Sequence, residues 1–171
     1  MNPETILGMP AATYTLIHVL ISLVGIASGF VVIYGLIGGK RLDRMTAIFV
    51  ATTVLTSVSG FFFPFHGVTP AINLGILSLV VLSLAVAARY ALHLTGPWRT
   101  TYVITAMIAQ YFNCFVLVVQ SFEKIPALKA MAPTQTEPPF KLTQLVVLAL
   151  FIVLGIVAAI RFRPAPAGVL D

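Results

Sequence analysis

MTAIFVATTVLTSVSGFFFPFHGVTPAINLGILSLVVLSLAVAA, Met45 to Ala88, is 44 residues without one Asp, Glu, Lys or Arg. A single helix of that length would reach about 66 Å, roughly twice the apolar core of a bilayer. Its middle reads Phe63-Pro64-Phe65-His66-Gly67-Val68-Thr69-Pro70. Two prolines and a glycine so close together break a helix and make a tight connection. The stretch therefore reads as two spans, about 46–63 and 71–90, joined by a short turn. The first is diluted by Thr46, Thr52, Thr53, Thr56, Ser57 and Ser59. That dilution keeps an alternative alive, in which 46–63 is a surface or re-entrant segment.

Three other charge-free runs flank this one: Thr5 to Gly39, Thr100 to Phe122 and Leu142 to Ile160. Each fits one crossing of about 20 residues. The expected fold is an all-α integral membrane protein, a single transmembrane domain over 1–171. Its five helices are placed at about 12–37, 46–63, 71–90, 100–122 and 142–161, with four as the alternative. A loop at 123–141 and a loose tail at 163–171 complete it. Composition agrees: 59% of the 171 residues are hydrophobic and only 9% charged, against about 25% charged in a soluble domain. That excludes a soluble enzyme, a disordered chain, a coiled coil and a disulfide scaffold.

Five spans put the termini on opposite sides and sort the basic residues unevenly. Lys40, Arg41, Arg44, Arg89, Arg99, Arg161 and Arg163 fall on one side, and Lys124, Lys129 and Lys141 on the other. The positive-inside rule assigns the richer side to the cytoplasm. The N-terminus is then outside and the C-terminus cytoplasmic, in a bacterial-type inner membrane. MNPETILGMP holds no Lys or Arg, so the first apolar segment is expected to remain as a span. The net charge of +5 lies at span edges and forms no basic stripe, which argues against nucleic acid. The lone Cys114 excludes an internal disulfide and reads as a buried hydrophobe.

Several motifs have bland readings. Gly25-Ile-Ala-Ser-Gly29 is a GxxxG packing signal. Ala71, Gly75, Ser83 and Ala87 make a small face on the third span. Phe61, Phe62, Phe63 and Phe65, with Trp98 and Tyr102, read as interfacial aromatic belts. Gly35-Leu-Ile-Gly-Gly-Lys40 is one residue short of a phosphate loop and follows no strand. No HExxH, CxxC or GxSxG is present, so no catalytic residue is named and an enzyme is not the favoured class. Five spans and a Gln–Asn pair on the fourth are also features of the tryptophan-rich sensory protein family. Trp98 is the sole tryptophan here and the Trp-Pro signatures are missing, so no residue role is transferred.

Polar side chains at membrane depth are functional candidates by default. Gln110, Asn113 and Gln120 on the fourth span are expected on one helix face, with Tyr111 beside them. His18, Asn73 and Glu123 add polar groups toward the outer half. These seven residues are the ligand-binding candidates, and they imply a polar cavity open to the outside, floored by Gln110 and Asn113. An amphipathic ligand, quinone-like or lipid-like, suits such a site. The competing reading is helix–helix hydrogen bonding. No cofactor or metal is expected, although His18 and His66 would be the axial pair if the chain held haem b. Membrane lipid is the expected partner, and a role as a non-catalytic subunit or assembly factor of a larger membrane complex is the alternative function. The proline-rich loop over Ala132 to Phe140 is expected to be a stiff lid, with Glu137 pairing with Lys129 or Lys141.

Overall fold

The computed structural model describes residues 5–64 and 69–163. It is helical apart from one small hairpin at the start. Five long helices are present: α1 Ala11–Ile37, α2 Asp43–Gly60, α3 Pro70–Val86, α4 Pro97–Lys124 and, after the short α5 Pro126–Met131, α6 Pro138–Arg161. Four of them are long and apolar enough to cross a membrane: α1, α3 with its extension, α4 and α6. The helix starts follow proline chemistry. Pro70, Pro97, Pro126 and Pro138 each open a helix at a first-turn position, where the missing N–H is not needed. Thr69 also caps α3, its hydroxyl accepting from the Ile72 N–H at 3.3 Å.

The hairpin was not expected. β1 Thr5–Ile6 and β2 Met9–Pro10 pair antiparallel, with Thr5 opposite Pro10 and Ile6 opposite Met9. Leu7 and Gly8 turn the chain with φ of +52° and +78°, the two positive angles a tight hairpin turn needs.

The difficult stretch is a helical hairpin. α2 runs from Asp43 to Gly60, three residues earlier at each end than the sequence pattern placed it. It lies along α1 in the most extensive helix pair of the molecule and packs on its other side against α3. It is not among the four strongly apolar helices, and the reason is visible in its packing. Thr46, Phe49 and Thr53 are buried, and Thr56 and Ser57 are half-buried. The hydroxyls point inward, where α1, α3 and α4 supply partners, so composition underrates the helix.

Around the bundle the order is α1, α2, α3, α4, α6 and back to α1, with α1 and α4 also touching across the middle. One core joins Val32, Ile33 and Leu36 of α1, Phe49 of α2, Leu82 and Ala85 of α3, and Val103 and Ala109 of α4. α6 closes the ring from outside and is the least buried of the four strongly apolar helices.

α3 does not end at Val86. It continues as a π-helical turn, Ala87–Ala91, in which the Leu92 N–H bonds the Ala87 carbonyl at 2.9 Å. Gly96, with φ of +51°, then starts α4. The segment 123–141 also departs from the loop expected there: it carries α5. Glu137 pairs with neither lysine. Its carboxylate accepts from the Thr134 N–H at 3.2 Å, the Thr134 hydroxyl at 2.8 Å and the Thr136 N–H at 3.0 Å. Local turn bonds out-compete a distant exposed cation. Of the tail at 163–171, only Arg163 is described.

Candidate functional site

Three polar or open features stand apart in the bundle: a hydrogen-bonded seam along α1 and α2, a buried arginine at the basic end, and an apolar groove on the flank.

The seam begins at the end opposite the basic residues. The Tyr14 hydroxyl donates to the Ser59 carbonyl at 2.7 Å. His18 Nδ1 and the Ser59 hydroxyl are 2.8 Å apart. Phe63 sets its ring edge-on to both Tyr14 and His18. One turn deeper, the Ser22 hydroxyl donates to Thr56 Oγ1 at 3.2 Å. Deeper still, Asn113 Nδ2 donates to Thr53 Oγ1 at 3.1 Å and to Gln110 Oε1 at 3.4 Å. Gln110 Nε2 ends the line on the Ile26 carbonyl at 2.9 Å.

Gln110 is fully buried, and GxxxG makes its seat. A Cβ on Gly29 would collide with the Gln110 carboxamide, and one on Gly25 would come within 3.2 Å of Thr52 Oγ1. The motif lets α2 and the α4 carboxamide approach the α1 backbone. Gln110 and Asn113 therefore join three helices by hydrogen bonds, and Gln110, with no exposed surface, does not floor an open cavity. Side-chain amides that satisfy one another in a packed interface stabilise a membrane bundle by roughly 0.6–2 kcal/mol per bond.

The other candidates lie elsewhere. Gln120 is exposed. At 100° per residue it is turned about 80° from Gln110, so the two do not share a face. Asn73 is exposed at the start of α3. Glu123 is exposed and meets Lys124 at 3.4 Å. His66 lies outside the described residues. Tyr111 is the exception: it lines the groove.

Sequence reasoning missed Arg89. It is 1% exposed, inside the π-helical turn. Its Nη2 donates to the Arg41 carbonyl at 2.9 Å and to the Asp43 carboxylate. Its guanidinium lies 4.9 Å from the centre of the Tyr102 ring. Tyr102, 1% exposed, is thus a core residue and not part of an interfacial belt; its hydroxyl is 3.4 Å from that of Thr46. The available signal was Asp43, the one acidic residue in a loop otherwise basic.

The groove runs between α4 and α6. It has a volume of about 300 Å³, and its walls include Ile104, Ile108, Tyr111, Phe151, Gly155 and Ala159. Its lining is almost wholly apolar. Gly155 forms part of the floor: a Cβ there meets only Met107, at 3.8 Å, so atoms added at this position enter open space. Ala159, the lining residue nearest the basic end, is tied through its carbonyl to Arg99, whose Nη1 donates to it at 3.1 Å and also to the Phe162 carbonyl. Arg99 thus caps the C-terminal end of α6, where a cation is favourable.

Comparison with protein-family models, curated proteins and solved structures finds no match to this chain.

Proposed function

We propose that the chain is a multi-pass membrane protein that holds a chain-bearing amphipathic molecule, lipid-like or quinone-like, in the groove between α4 and α6. The observation that carries this reading is the groove itself. It is concave, apolar, open to the flank and at the lower end of the roughly 300–1,000 Å³ typical of ligand sites. An apolar chain fits such a lining, and the Tyr111 ring on its wall supplies an aromatic surface.

In this reading all five long helices cross the membrane. α2 is 18 residues, about 27 Å of helix, which matches an apolar core of about 30 Å. The basic end faces the cytoplasm and the N-terminus lies outside, as the positive-inside rule favours. A bacterial-type inner membrane is the setting proposed.

The test is photolabelling with a diazirine-bearing fatty chain in native membranes. Label is expected on Ile108 and Ile152, and a Gly155→Phe variant, which fills the groove, is expected to lose most of it. Label spread evenly over the outward faces of α1 and α3 would sink the reading.

A second reading, a non-catalytic subunit of a larger membrane complex, is favoured by α6. Its Leu142, Leu145, Val146, Val153 and Ile160 side chains are all more than half exposed. A partner helix would cover that strip. Isolation in mild detergent as the lone chain would count against it.

A further inference from the structure

The groove has a direction, and both of its ends are informative. On α4 its lining runs from Ile104 to Tyr111, and on α6 from Ala159 back to Leu148. Measured from Arg99 and Arg161 at the basic end, those limits lie about 7 and 18 Å up α4 and about 3 and 20 Å up α6. Half of an apolar core is about 15 Å. The groove therefore opens in the leaflet next to the basic end and reaches to about the midplane, so most of its length lies in that leaflet.

Among the described residues, the charges at that mouth are of one sign. Arg99 holds the Ala159 backbone, which is the innermost part of the lining. Its hydrogen bonds go to neutral carbonyls and to the Thr100 hydroxyl at 3.4 Å, and among the described residues no carboxylate pairs with it. Arg161 and Arg163 are exposed beside it. Among the described residues the sole acid at this end is Asp43, and Arg41 and Arg89 hold it on the other side of the bundle. Trp98, 37% exposed next to Arg99, is the kind of amphipathic ring that sits at headgroup level.

Resting on the proposed groove, we infer that its occupant is an anionic glycerophospholipid of that leaflet. One acyl chain lies along Ile104, Ile108 and Gly155, and the phosphate meets Arg99 with Arg161 and Arg163 nearby. Arginine suits the headgroup because its planar fork matches phosphate oxygens. Each basic residue near an anionic headgroup is worth about fivefold in affinity.

Native mass spectrometry of the intact chain tests this, titrating phosphatidylglycerol against phosphatidylcholine of the same acyl chains. The wild type is expected to prefer phosphatidylglycerol by fivefold or more. Arg99→Gln is expected to lower that preference about fivefold. Because Arg99 also caps α6, the exposed pair Arg161→Gln/Arg163→Gln is measured beside it and is expected to lower the preference without changing the fold. Gly155→Phe is expected to weaken both lipids alike. Equal binding of the two lipids by the wild type overturns the headgroup assignment, and so does wild-type preference in the arginine variants. The groove reading survives those outcomes as long as Gly155→Phe still weakens both. Unchanged binding of both lipids in Gly155→Phe, or a second chain bound where lipid is expected, overturns the groove and the assignment together.

Discussion

Gly29 has room for hydrogen and nothing larger, because a Cβ there would stand inside the Gln110 carboxamide. Gln110 cannot simply turn away, since it is fully buried and tied to Ile26 and Asn113. Gly29→Ala is expected to destabilise the bundle by about 1–3 kcal/mol, the usual range for overpacking. Gln110→Ala removes the obstacle and the hydrogen bonds together. The two changes therefore couple, and the double variant is expected to lose less than the two single losses combined, by about 1 kcal/mol. Thermal unfolding in detergent, read for all four proteins of the cycle, checks this. Additive losses would mean that the glycine and the amide act independently. Arg89 gives a second expectation at this scale. Asp43→Asn leaves a buried guanidinium without its anion, whereas Arg89→Met leaves an exposed carboxylate that water solvates. The first is expected to cost more, about 3 kcal/mol or less given that Asp43 is 68% exposed. Equal losses in the same unfolding assay would show that the pair is not governed by burial.

At the scale of elements, α2 shows what the sequence did and did not reveal. Its existence followed from the length of the charge-free run and from the two prolines, and its ends came within three residues. What its hydroxyls do was not legible. Periodicity tells which residues share a face, and not which neighbour that face meets. Thr53 became a hydrogen-bond partner only once α4 was placed beside it. Gln120 failed in the opposite direction. A spacing of seven keeps it near Asn113, but the drift over ten residues turns it out of the Gln110 interface. Arg89 escaped notice because a charge at a run's end reads as a solvated boundary, and only the π-helical turn places it inside. The loop before α6 was legible as proline-stiffened and misread in its partner. Glu137 is held below the ordinary carboxylate range mainly by the Thr134 hydroxyl, with backbone N–H groups helping. A carboxyl lowered on folding stabilises fully above its unfolded value and loses that contribution as pH falls through the lowered one. Glu137→Gln is therefore expected to lower the melting midpoint at neutral pH and to make little difference in strong acid. A midpoint difference that stays constant from neutral pH into acid would show that the turn does not depend on the charge.

The whole molecule turns on whether α2 crosses, and the two possibilities reverse the sides of every later loop. With five crossings and the N-terminus outside, the α3–α4 connection at Thr95 is cytoplasmic and the α5–α6 connection at Thr136 is outside. If α2 stays on the cytoplasmic side, α3 must run outward, so Thr95 is outside and Thr136 is cytoplasmic. Both residues are exposed loop threonines, and the native thiol, Cys114, is buried, which leaves a clean background. Seven basic residues at the end that holds Thr95 favour the first arrangement, and so does the inward turn of the α2 hydroxyls. A polar-faced helix lying on the surface would direct them to water. Here Thr46, Thr53 and Ser57 instead face Tyr102, Asn113 and Ser78. In intact cells a membrane-impermeant maleimide is expected to label Thr136→Cys and to reach Thr95→Cys only after lysis. Labelling of Thr95→Cys in intact cells, with Thr136→Cys protected, would overturn this arrangement and leave either four crossings or five in the opposite orientation. It would also move the basic mouth of the groove to the outer leaflet, where the anionic lipid assigned to it would have to be sought.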